Sequence, residues 1–176
     1  MPNENKIWTD MLGIVSSALL AAGITGWTVS RAYQPTQGKL EPPYLLLHKL
    51  AFYPAGWQGV KYSRINGTLK GTYSQLTEYD FQIDAVKRRT ADATETTSED
   101  ILRAVSMWLM SDEGIAALQT KGYFIARITE VRNPEFETAD DVFEFSPNIK
   151  IKICAEQTLE SSVPEFTGTE SETKMI

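Results

Sequence analysis

The sequence predicts an α+β fold: an antiparallel sheet of about four to five strands packed against an N-terminal helix and a central helix pair. Three observations carry that expectation. Tyr79, Phe81, Ile83 and Ala85 alternate with Asp80, Gln82 and Asp84, the two-residue beat of a strand buried on one face. The beat returns in Phe143, Phe145, Ile149, Ile151, Ile153 and Ala155. Between these stretches, Ile101, Leu102, Val105, Trp108 and Leu109 fall at the i, i+1, i+4, i+7, i+8 spacing of a helix that covers a sheet on one side.

The first helix is expected over Ile7 to Ala22, because Trp8, Met11, Leu12, Val15, Leu19 and Ala22 trace one stripe and Gly23 suits a left-handed cap. The apolar run Met11 to Trp27 is diluted by Gly13, Ser16, Ser17, Gly23, Thr25 and Gly26. Glu4 and Asp10 flank it beside Lys6, so it reads as a soluble helix and not as a signal peptide or membrane anchor. Trp27 to Tyr33 reads as extended, Gln34 to Pro43 as a proline-rich loop, and Tyr44 to Tyr53 as a strand. Pro54 to Gly71 interleaves Gly56, Gly59, Gly67 and Gly71 with Trp57, Val60, Tyr62, Ile65 and Leu69. That composition admits a functional loop or a weakly signalled hairpin equally.

Thr72 to Ala85 is the clearest strand, continuing to Val86, and Lys87 to Thr97 is a polar loop. Thr96 with Glu99 forms the T-x-x-E pattern of a capping box, which sets a helix start just before Ile101. Ser111 interrupts that helix and caps a second one reaching Gly122, with Ile115 and Leu118 expected inward. Tyr123 to Arg132 is the next strand, carrying Phe124, Ala126 and Ile128 on one face, and Val131 breaks the parity as a bulge would. After the acidic turn Asn133 to Asp141, Val142 to Leu159 is expected as one long antiparallel strand, with Pro147 marking an edge or a bulge. Residues 1–160 thus form a single domain. Residues 161–176 form a polar acidic tail, Glu165, Glu170 and Glu172 lying among Ser, Thr, Pro and Gly.

Bulk composition narrows function. A chain of 176 residues with net charge −6 and pI near 4.9 lacks the cationic excess of a protein that clamps phosphates. One cysteine, Cys154, forbids an intrachain disulfide and is too few for a structural zinc site; one histidine, His48, leaves histidine triads without parts. No Walker loop, dinucleotide fingerprint, HExxH pattern or G-x-S-x-G elbow occurs. Carboxylate pairs remain: Asp80 with Asp84, Asp112 with Glu113, and Asp140 with Asp141. Each has a simple structural account, a solvated or pore-facing strand surface for the first and a helix N-terminus for the second. No catalytic residue, cofactor or metal is expected. Glu78, Asp80, Gln82 and Asp84 are the candidate solvent-facing or lumen-facing surface. Trp57, Tyr62, Ile65 and Leu69, with the basic run Lys87, Arg88 and Arg89, are the candidate interface.

The W-x-D-M-L-G helix (Trp8 to Gly13), the A-A-G-I entry to a strand (Ala21 to Ile24) and the R-A-Y-Q-P junction (Arg31 to Pro35) resemble the tail or neck terminator proteins of tailed bacteriophages. Pro42-Pro43-Tyr44, the Phe81-Gln82-Ile83-Asp84 strand, the helix pair ending at Lys121-Gly122, and Arg132 before the long strand extend the likeness over Ile7 to Leu159. The resemblance implies a non-enzymatic virion component, assembled in the host cytoplasm as a homo-oligomeric, hexameric ring. Such a ring stops tail-tube polymerisation and contacts tube, sheath where the tail has one, and neck or head-completion proteins. Genomic DNA passes through it unread, and no membrane is involved. An acidic protein suits such a channel, since like charge removes phosphate-binding wells. Competing readings are another neck component, such as a tail-completion or head-closure protein, and, further off, a small carboxylate-dependent enzyme or a membrane-anchored accessory protein.

Overall fold

The computed structural model describes residues 4–32, 42–66, 68–87, 95–133, 135–137 and 143–162. The fold is α+β, with helices packed on one face of a five-stranded sheet. Helix α1 spans Glu4–Ala21 and buries Ile7, Trp8, Met11, Ile14, Val15, Ala18 and Leu19, the stripe that its 3.6-residue period dictates. Gly23, at φ 69°, ends it: its N–H donates to Leu20 O (3.0 Å) and the Ile24 N–H donates to Leu19 O (2.9 Å), the paired bonds of a Schellman cap. Among the described residues no helix is long and apolar enough to cross a membrane.

Strands β1 (Thr28–Arg31), β2 (Tyr44–Ile65), β3 (Thr68–Val86), β4 (Tyr123–Ile128) and β7 (Asn148–Ser162) form the sheet in the order β1-β2-β3-β7-β4. The sheet is mostly antiparallel, but β1 runs parallel to β2. Apart from this pair the sheet is antiparallel, as expected; the 28–31 and 44–47 segments are joined by a connection long enough to return the chain to the same end. Two short strands, β5 (Glu135–Glu137) and β6 (Phe143–Phe145), make a separate hairpin. The expected single strand from Val142 is therefore broken before Asn148. Pro147 sits at that break, its carbonyl accepting the Ala85 N–H (3.0 Å), so it marks neither an edge nor a bulge of a continuous strand.

Helices α2 (Ser98–Leu109) and α3 (Asp112–Thr120) follow β3. The capping box is one residue later than the T-x-x-E pattern suggested: Thr97 Oγ1 accepts the Asp100 N–H (3.1 Å) and Asp100 Oδ2 accepts the Thr97 N–H (3.1 Å). Glu99 instead accepts from Arg103 Nη2 one turn on (2.5 Å). Ser111 caps α3 by accepting the Gly114 N–H (3.2 Å). Gly114 is required there, since a Cβ would lie 2.1 Å from the Trp108 carbonyl oxygen.

The core lies between the helices and one sheet face. Leu45 and Leu47 of β2, Tyr79, Phe81, Ile83 and Ala85 of β3, and Ile149, Ile151, Ile153 and Ala155 of β7 meet Ile101, Leu102, Val105, Leu109 and the α1 stripe. Trp8 meets Phe81 edge-on, centroids 5.5 Å apart. On β4 the bulge falls between Ile125 and Arg127, earlier than Val131, so Tyr123 and Ile125 face inward before it and Ile128 after it. Phe124, expected to share a face with Ile128, is consequently 53 % exposed. Ile115, expected inward, is 40 % exposed, because only Leu118 and Gly114 of α3 reach the core.

Candidate functional site

The even-numbered residues of β3 line the face opposite the helices. Glu78, Asp80, Gln82 and Asp84 share it; cross-strand partners hold the three carboxylates, and Gln82 bonds Asp84 along its own strand. Lys152 of β7 pairs with Glu78 (2.9 Å) and Asp80 (3.6 Å), donates to the Tyr53 hydroxyl and lies over that ring. His48 Nε2 meets Asp84 Oδ2 at 2.7 Å, and Gln82 Nε2 donates to Asp84 Oδ1 (2.7 Å). The pattern arises from strand register: His48 stands opposite Gln82, Tyr53 opposite Glu78 and Lys152 opposite Asp80. The result is a half-buried face of fixed carboxylates. Among the described residues, no group of three or more His, Cys, Asp or Glu could hold a metal ion. Cys154 lies on this face next to Glu78; burial, then the Glu78 charge, raises its thiol pKa, which opposes thiolate chemistry.

A second polar node ties α1 to the far edge of the sheet. Asp10, 8 % exposed, accepts from Lys6 (2.6 Å), Lys121 (2.9 Å) and the Tyr123 hydroxyl (2.9 Å). Burial pushes the Asp10 carboxyl up, but the three hydrogen bonds outweigh it and leave the pKa lowered. Burial and the Asp10 charge both push the Tyr123 phenol well above its ordinary value. Beyond the i, i+4 pair of Lys6 with Asp10, the sequence pattern offers no signal for this node, since Asp10 is over a hundred residues from Lys121 and Tyr123.

Beyond Thr77 the sheet continues as an arm without a helical cover. Pro54 to Gly71 is neither a loop nor a separate unit: β2 and β3 run on as a hairpin, paired from Pro54↔Thr77 to Ile65↔Thr68, with β7 alongside as far as Lys70↔Ser162. The buried core takes nothing from Pro54 to Leu76. Trp57 is 98 % exposed, and Val60, Tyr62, Ile65, Leu76 and Leu159 are also exposed on the arm, while Leu69 is half-buried. Three residues of β2, Gly56 to Gln58, stand against Gln75 alone, a bulge made possible by Gly56 at φ 72°. The bulge throws Trp57 outward. At the other edge, Met110, Ile115, Leu118, Phe124 and Ile125 line an open apolar cleft of about 330 Å³ between α3 and β4. Periodicity could not have found it, because it needs the α3–β4 packing to exist.

Of the expected interface residues, Trp57, Tyr62, Ile65 and Leu69 all lie on the arm. Lys87 stands apart at the end of β3, paired with Glu95 (2.8 Å). Arg88 and Arg89, Asp140 and Asp141, and the tail from 163 lie outside the described residues.

A family model described as E217 gateway protein gp29 matches residues 11–165, nearly all of the chain from α1 to the end of β7. No curated protein matches. The chain belongs to this family. Gateway proteins are structural components of the phage virion neck, where they form oligomeric rings, and they are not enzymes.

Proposed function

We propose that this gateway-family chain builds a homo-oligomeric, six-fold ring at the head-proximal end of a phage tail, where it ends tail-tube polymerisation and joins tail to neck. The observation that carries the reading is the family match across residues 11–165, which includes every strand of the main sheet. The shape of the subunit supports it. A ring needs two different patches per subunit, on opposite flanks. Beyond Leu47, β2 has no described strand on its outer side, and β4 is the edge at the other end of the sheet. Trp57, Tyr62, Ile65 and Leu69 serve subunit contacts in this reading, and Lys87, Arg88 and Arg89 add a basic contact.

The Glu78, Asp80, Gln82 and Asp84 face is assigned to the lumen, where fixed negative charge lets DNA pass without a binding well. Residues 1–160 act as one domain and 161–176 as an extension toward a neighbouring ring component. The partners are tail tube, sheath where the tail has one, and a neck or head-completion protein. A second position is a head-closure or tail-completion ring, favoured by a family description that names a gateway and not a terminator. Class-averaged electron micrographs of the purified protein are expected to show six-fold rings with a central hole, and added protein is expected to fix the length of polymerising tube. A protein that stays monomeric even on tube ends would refute the ring.

A further inference from the structure

We propose that Trp57, thrown out by the β2 bulge, seats in the α3–β4 cleft of a second copy of this chain, making the bulge and the cleft the two halves of one head-to-tail contact. This rests on the ring reading above and specifies which surfaces close the ring.

Four observations converge on a second copy as the occupant. First, the backbone is shaped to present the side chain. Gly56 takes a positive φ, and a Cβ on Gly59 would lie 3.0 Å from Ser74 Oγ, so glycines on either side permit a bulge whose outcome is an indole in solvent. Tryptophan presented in this way is the residue type most often found as an interface anchor. Second, the same chain carries a recess to receive it, an apolar cleft of 330 Å³ rimmed by exposed Ile115 and Phe124.

Third, charge is complementary. Pro54 to Thr77 contains Lys61, Arg64 and Lys70 and no acid, against Glu156 and Glu160 of the adjoining β7, so the arm carries a small cationic excess in a chain of net charge −6. Between Met110 and Ile115, which line the cleft, Asp112 and Glu113 are exposed in the first turn of α3. Fourth, the two patches lie at neighbouring levels of the sheet. Ala55, two residues from Trp57, pairs with Leu76; Leu76 pairs with Glu156; and neighbouring Ala155 pairs with Tyr123 at the cleft. The bulge is level with Gln75 and Gln157, so it is offset by two to four residues along the strand direction from the β4 side of the cleft, Tyr123 to Ile125, on the opposite edge of the sheet. Two different patches on opposite flanks make the head-to-tail contact that a ring requires.

The test uses the full chain and two variants at exposed positions, Trp57→Ser and Ile115→Lys, with unchanged melting curves as the folding control. Light scattering after size exclusion should find the wild type as a ring and each variant dissociated, with self-association weakened at least about tenfold. Mixed and crosslinked, the variants should give a one-to-one dimer that grows no further, since the intact Trp57 of one meets the intact cleft of the other. Either variant closing rings, or the mixture staying monomeric, overturns the proposal while leaving the ring reading standing. A variant that keeps its ring but no longer caps tubes places Trp57 against another virion protein and also overturns it. A monomeric wild type removes the ring reading itself.

Discussion

Replacing Asp10 by Asn keeps the shape of the buried node and removes its charge. Asp10 accepts from two ammonium groups and a phenol, at 2.6, 2.9 and 2.9 Å. Lys6 and Lys121 are partly exposed and can return to water, so their pairing is counted at the surface scale, about 0.5 kcal/mol each. The Tyr123 hydroxyl is buried and loses a charged acceptor for a neutral one, about 1 kcal/mol. An amide N–H₂ must also face a lysine or the phenol, leaving a donor against a donor. The sum is about 2 kcal/mol at pH 7, or about 4–8 °C in melting temperature for a domain of this size. Because the folded Asp10 pKa is lowered, its stabilisation is present above the unfolded value near ~3.9 and is lost as pH falls through the folded value. Urea unfolding of wild type and Asp10→Asn, at one protomer concentration from pH 7 to about pH 3, should show the gap narrowing in acid. A gap below about 0.5 kcal/mol at pH 7, or one unchanged in acid, refutes the reasoning.

Gly114→Ala forces a Cβ against the Trp108 carbonyl at 2.1 Å and should destabilise by about 3 kcal/mol, read as a lowered melting temperature. Thr97→Ala should cost about 1 kcal/mol in urea unfolding while Thr96→Ala costs nearly nothing, since only Thr97 caps α2. Cys154 should react with a disulfide reagent at least about tenfold more slowly in the native protein than in urea, because it is buried and its pKa is raised.

Much of the fold was legible because periodicity is local. The stripe of α1, the inner faces of β3 and β7, and the α2–α3 break at Ser111 all follow from side chains that must choose between core and water. The arm was ambiguous for the converse reason: no helix covers it, so neither face selects apolar residues and the alternation that announces a strand is missing. The capping box slipped by one residue because Thr96 and Thr97 each have an acid three residues on, and Glu99 is drawn to Arg103. Phe124 was misplaced because one bulged residue reverses the parity of everything beyond it.

By itself the sequence determined the fold class, the composition of the core, a net negative charge with few reactive groups, and a likeness to phage neck proteins that the family match shares at that level. Only tertiary structure decided the parallel β1, the Asp10 node, the bulge that exposes Trp57, and the cleft at the opposite edge. The first three join residues far apart in the chain, and the cleft, lined by sequence neighbours, exists only through the packing of α3 on β4. Hydrophobic periodicity records which face of an element is dry, whereas strand order and hydrogen-bond partners are set by which dry faces meet.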